Sequence, residues 1–177
     1  ITGDRYPHPQ AKPFLNDAGR PTDNGDFSHR PNPAWFHHRV DLAVRTACEL
    51  DMIADLILCG PDSLDSRSTL QAAHNGGDPT PLLRYIAARY GSYPNVWICL
   101  CNEFDIKKPK YSSKQIARFG QILRRFLPYP KPVSVHASAR DWHTDLNTTE
   151  RWNDHVIIQR KIKKLPEAAD WLARNYQ

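Results

Sequence analysis

Four short apolar runs, at residues 53–59, 96–101, 132–136 and 155–159, alternate along the chain with segments whose apolar residues recur at helical spacing. Strand-length runs set between amphipathic helices are the pattern of a parallel α/β sheet, because each strand must be carried back to the same end of the sheet by a crossover helix. The run at 53–59, rich in Leu and Ile and closed by Gly60-Pro61, is read as a strand buried on both faces. The segments that follow the strands, 60–78, 102–111 and 137–153, are long and polar, whereas those that follow the helices are short. In parallel α/β folds that asymmetry puts the functional site at the C-terminal ends of the strands. No Gly-rich phosphate loop follows any strand, which removes the usual nucleotide reading.

The helices carry their own start and stop signals. Asn32 is placed to cap a helix with Pro33 at its first position, followed by Phe36, Val40, Ala43, Val44, Ala47 and Leu50 on one face. Thr80-Pro81 opens a second, with Leu82, Leu83, Ile86, Ala87 and Tyr90 inward and Gly91 as its stop. Ser112 or Ser113 caps a third, with Ile116, Phe119, Leu123 and Phe126 inward and Pro128 and Pro130 beyond its end. Leu165, Ala168, Ala169 and Leu172 mark a last helix. Residues 1–31, rich in Pro, Gly, Asp and Asn with turn signals at 17–19 and 23–25, read as a long loop, and residues 32–177 as one domain. A chain of 177 residues has enough material for a single core. Its start has neither an initiating Met nor a basic-then-apolar signal pattern, so the sequence is expected to be a piece of a longer chain.

The net charge of +5 raises nucleic acid as a partner, but Lys and Arg are dispersed, with a cluster only at 160–164, which fits a solvated face better. The apolar run around Met52 to Cys59 is broken by Asp55 and is far short of the about 20 residues of a membrane span, so neither nucleic acid nor membrane is expected as a partner. Four cysteines are too few for a disulfide framework, and Cys59, Cys99 and Cys101 lie in apolar runs as core residues. Cys99, Cys101 and His136 lack the close paired spacing of zinc sites, and no metal or cofactor is expected. Compartment and oligomeric state stay open.

The strand at 96–101 emerges into Asn102-Glu103. A carboxyl group at the mouth of a sheet is half desolvated, which suits a general acid, and the adjacent amide can bond a sugar hydroxyl. A Glu just past a strand is also an ordinary solvated loop carboxylate. By strict alternation Glu103 would share a face with Cys99 and Cys101, sending Asn102 to the other side, so joint action of the pair requires the strand to twist or bulge at its end.

The surrounding sequence adds a resemblance. The stretch from Arg84 to Asp105, with its Tyr93-Pro94-Asn95-Val96 turn and its strand ending in Asn102-Glu103, resembles the fourth strand and preceding helix of clan A glycoside hydrolases, and most closely the apiosidase-like group. The likeness runs upstream through Asn32-Pro33-Ala34-Trp35-Phe36, Val40-Asp41 and residues 54–58, and downstream through Ser134-Val135-His136 and residues 155–159. It implies a partial (β/α)8 TIM barrel spanning about the second to sixth βα units, acting on a carbohydrate substrate by retaining O-glycoside hydrolysis, with a lean toward secretion or the periplasm. It implies Glu103 as the acid/base and Asn102 as the group bonding the sugar beside the scissile linkage. His136 and Gln159 match positions bordering the sugar pocket, or are ordinary strand-end polar groups. Trp142 and His143 lie where an aromatic face stacks on a sugar or forms a packing lid, and Asp105 is expected to order its loop rather than react. The family's nucleophile ends the seventh strand, and no residue here matches it, so these 177 residues alone are expected to be inactive. A second reading is a non-catalytic carbohydrate-binding or structural remnant of such a barrel.

Overall fold

The computed structural model describes residues 13–22, 30–59, 77–106, 110–138 and 149–157, with single positions at 146, 166, 169, 170 and 173. Its central feature is a three-stranded parallel sheet in the order β4 (Ala54–Ile57), β5 (Val96–Asn102), β6 (Val133–His136). Ile157 continues the sheet by a parallel bridge to His136, and the rest of the expected strand at 155–159 lies outside the described residues. The chain is thus α/β, with strands parallel and adjacent in sequence order.

Two helices return the chain between these strands. α3 (Thr80–Tyr90) buries Leu82, Leu83, Ile86, Ala87 and Tyr90, the face read from the sequence. Asp78 closes its start by accepting from the backbone N–H and hydroxyl of Thr80 at 3.0 and 2.6 Å. α4 (Ser113–Phe126) begins with a reciprocal capping box, in which Ser112 accepts from the N–H of Gln115 while the Gln115 side chain accepts from the N–H of Ser112. Ile116, Phe119 and Leu123 of α4 join Val96, Ile98, Leu100, Val133 and Val135 of the sheet in one buried cluster with α3. Each such side chain contributes about 1.5–3 kcal/mol by leaving water, and this cluster is the main source of the fold's stability.

The first helical segment differs from its expected pattern. Asn32 caps it through a bond from the N–H of Ala34, with Pro33 at the first position, as anticipated. The helix then runs as α1 (Pro33–Phe36), a π turn at His37–Asp41, and α2 (Leu42–Glu49). The wide turn adds a residue to one revolution and rotates everything after it. Val44 is buried as expected, but Asp41 joins it inside, whereas Ala43 and Leu50, expected on the buried face, are exposed.

The strand β4 also corrects a reading. It was expected to be buried on both faces, yet Ala54 and Leu56 are half-buried while Asp55 and Ile57 are exposed, Ile57 to 51%. Its exposed face continues through Trp97, the register partner of Asp55, because the helical layer covers only one side of the sheet at this end among the described residues. Within residues 1–31, β1 (Phe14–Leu15) pairs antiparallel with both β2 (Pro21–Thr22) and β3 (Arg30–Pro31), and Phe14 enters the core. The expected turn at 17–19 joins β1 to β2, with Gly19 at φ +73°. No described helix is long and apolar enough to cross a membrane.

Candidate active site

The parallel register makes Asn102, the last residue of β5, the partner of His136, the last residue of β6. Up to Cys99 the register is regular, with Cys99 opposite Ser134, and between Cys99 and Asn102 it shifts. The shift is one residue, since Cys99 to Asn102 spans three steps on β5 and Ser134 to His136 spans two on β6. This is the irregularity that joint action of Asn102 and Glu103 demands. The extra residue breaks the regular alternation between Cys99 and Asn102, just before the pair.

Glu103 then takes a left-handed conformation, φ +45°. For a residue with a Cβ this costs about 1–3 kcal/mol and persists only where neighbouring structure enforces it. Asp51, at φ +54°, shares the conformation but sits just past the end of α2, where left-handed geometry routinely closes a helix and Asp tolerates it. Glu103 follows a strand, has no helix to close, and is not a residue type that favours this region. The strain lies at the residue with the strongest chemical signal in the sequence.

The surrounding bonds hold the residues on either side of it. The Asn102 Oδ1 meets His136 Nδ1, and since an amide oxygen only accepts, that nitrogen carries the proton. Asn102 N–H donates to the carbonyl of Cys59 at 2.8 Å, tying the end of β5 to β4. The N–H of Phe104 reaches the carbonyl of His136 at 3.4 Å. Asp105 accepts from the N–H and the hydroxyl of Ser138 at 2.8 and 2.7 Å, so it orders the turn. Behind the site, Cys59, Cys101 and Tyr111 pack together in the core. Burial, with the Asp55 carboxylate nearby, pushes the Cys99 thiol up to about 12, and contact with Cys59 together with burial raises Cys101 as well. Thiols that stay protonated behave as small apolar side chains.

The structure thus brings Asn102, Glu103 and His136 together at the C-terminal ends of adjacent strands. Gln159, Trp142 and His143 lie outside the described residues. A surface cavity of about 540 Å³ opens elsewhere, between α4 and residues 149–152, lined by Arg124, Arg125, Arg151 and Trp152 among others. It is remote from the strand ends, and the strand-end geometry is the stronger indicator because it couples strain, polar convergence and fold position. Sequence reading missed Ser138, whose only signal was its place two residues beyond the β6 terminus.

Residues 6–177 match the sequence profile of the apiosidase-like catalytic domain. The chain belongs to that family. No curated protein matches it. The apiosidase-like domain is similar in fold to a crystal structure from Bacteroides vulgatus of a protein provisionally designated a glycoside hydrolase, with a TM-score of 0.62 at 23% identity. The match covers 87% of this chain and 30% of the other, so the apiosidase-like chain spans just under a third of the length of that protein.

Proposed function

We propose that this chain is a segment of a retaining O-glycosyl hydrolase, built as part of a (β/α)8 barrel, in which Glu103 is the general acid/base. Asn102 bonds the sugar beside the scissile linkage, His136 and Gln159 border the pocket, and Trp142 offers an aromatic face to a sugar ring. The observation that carries this reading is Glu103 in a strained left-handed conformation just past the end of β5, beside Asn102, in a chain of a glycosidase family.

In the retaining mechanism two carboxyl groups about 5–5.5 Å apart divide the work. One protonates the departing oxygen as the other attacks the anomeric carbon, and the first then deprotonates the water that releases the sugar. Glu103 takes the proton-transfer role, and sequence beyond these 177 residues supplies the nucleophile. The carboxylates placed here serve other ends. Asp55 is near the start of β4, four residues before Cys59, which at about 3.3 Å per residue puts it roughly 13 Å below the mouth. Asp105 is bonded to Ser138, Glu150 accepts from Gln121 on α4, and Asp154 accepts from the N–H of Val133 at the start of β6. The Asn102 oxygen is engaged by His136, which turns the amide N–H groups of Asn102 away from that ring and leaves them to donate to a sugar hydroxyl.

The test is Glu103→Gln in the full natural chain. Turnover of natural glycosides should fall by about 10²- to 10⁴-fold, the range of general acid catalysis, while activated aryl glycosides lose less in the step that breaks the glycosidic bond. Equal activity of the variant and its parent on a natural substrate would leave the second reading, a binding or structural barrel segment.

A further inference from the structure

We propose that the end of β6 is the jig that sets Glu103, with Asp105 and Ser138 acting as positioning residues for proton transfer. The inference rests on the reading of Glu103 as the acid/base and deepens it. Three contacts from residues 136–138 grip residues 102, 104 and 105, one position before Glu103 and two after it. His136 Nδ1 holds the Asn102 side chain, the His136 carbonyl takes the Phe104 N–H, and Ser138 gives both its N–H and its hydroxyl to the Asp105 carboxylate. Between them Glu103 stands at φ +45°, a conformation it does not hold by preference.

The Asp105–Ser138 contact is the strongest part of this grip. Two short bonds to a carboxylate are charge-assisted when it is ionised, and they are partly shielded, Ser138 being 5% exposed and Asp105 half-buried. Hydrogen bonds to charged groups contribute more than neutral ones, so this pair is well placed to offset the backbone strain two residues away. Without it the turn is free to relax toward negative φ, which swings the Glu103 carboxyl relative to the strand end. A displacement of about 1 Å can cost roughly 10²-fold in rate when a reacting group must be held in line.

The cost should fall on proton donation rather than on binding. A leaving group that departs readily as an anion needs little protonation, whereas a natural sugar leaving group needs the acid in place. The decisive quantity is the ratio of kcat/KM on a natural glycoside to kcat/KM on an activated aryl glycoside, since the folded fraction cancels in it. In the full natural chain, Asp105→Ala should lower that ratio by about 10- to 100-fold. Ser138→Ala, which removes only the hydroxyl bond, should lower it in the same direction by less, and the two together should cost less than the product of the single effects because they break one contact. Asp105→Asn, which keeps an oxygen for the Ser138 N–H, should restore most of the ratio. Glu103→Gln is measured alongside. A lowered ratio for Glu103→Gln with an unchanged ratio for both Asp105→Ala and Ser138→Ala overturns the jig and leaves the acid/base assignment standing. An unchanged ratio for Glu103→Gln itself overturns both.

Discussion

Asp41 sits on the π turn and faces inward, where its carboxylate meets the Arg89 guanidinium in two bonds of 2.9 and 2.6 Å and accepts the Tyr90 hydroxyl at 3.0 Å. Burial pushes the pKa of this carboxyl up, but the bonds from Arg89 and Tyr90, the Arg89 charge and a bond from His37 together outweigh it and lower its pKa. Burial and the bond to Asp41 in turn raise the Tyr90 hydroxyl far above its ordinary value. The sign of the stability term follows from the Asp41 shift. A carboxyl that ionises more readily when folded adds stability that is fully present above about pH 3.9, the unfolded value, and is lost as pH falls through the lower folded value. Asp41→Asn should therefore destabilise the domain by about 1–3 kcal/mol near neutrality, because the guanidinium and the tyrosine lose a charged partner. Urea unfolding followed from pH 6 down to pH 3 should show the gap to the parent narrowing at the acid end. A gap that widens there would contradict this account of Asp41. Sequence alone did not expose the pair, since helical spacing marked Val40 and not Asp41 as inward, and Asp41 lies on the π turn that the spacing does not show.

Elements differ in how openly the sequence announces them. The caps at Asn32 and Ser112, the buried faces of α3 and α4 and the three strands were readable because each rests on a period or a short-range bond. The antiparallel trio at Phe14, Pro21 and Arg30 was not, because strands of two residues carry no period. The shift at the end of β5 could be inferred as a requirement of pairing Asn102 with Glu103, but its place between Cys99 and Asn102 depends on the register with β6, which no local pattern encodes. Gly120 is another element-scale feature with a clear reason. It lies in the middle of α4, where glycine costs about 1 kcal/mol relative to alanine. The indole of Trp152 lies against it, so that an added Cβ would come within 2.0–2.5 Å of three ring atoms. Trp152 is itself 2% exposed, and Arg124 on the same helix binds its carbonyl at 2.8 Å, so the ring has little room to retreat. Gly120→Ala should therefore lower the thermal midpoint despite the better helix propensity, overpacking costing about 1–3 kcal/mol. A raised midpoint by calorimetry would show that the contact is looser than this.

Across the whole molecule, burial is uneven among the described residues. The sheet face toward α3 and α4 is closed, while Asp55 and Ile57 on β4 and Trp97 at the start of β5 are exposed, with the His155 ring against Trp97 at 4.9 Å. The apolar strand that runs into Asn102-Glu103 was legible in the sequence, and β5 ends there, but the positive φ of Glu103 and the contacts that residues 136–138 make on either side of it were not, because they depend on how two strands align. The most direct test of the central claim uses Glu103→Ala in the full natural chain with an activated aryl glycoside. The first step can proceed without the acid, but the covalent intermediate should then persist, because no base remains to deprotonate the attacking water. Azide is already an anion and needs no base. It should accelerate turnover of Glu103→Ala but not of the parent, giving a glycosyl azide with the anomeric configuration of the substrate. No acceleration, or a glycosyl azide of inverted configuration, would contradict Glu103 as the acid/base of a retaining enzyme.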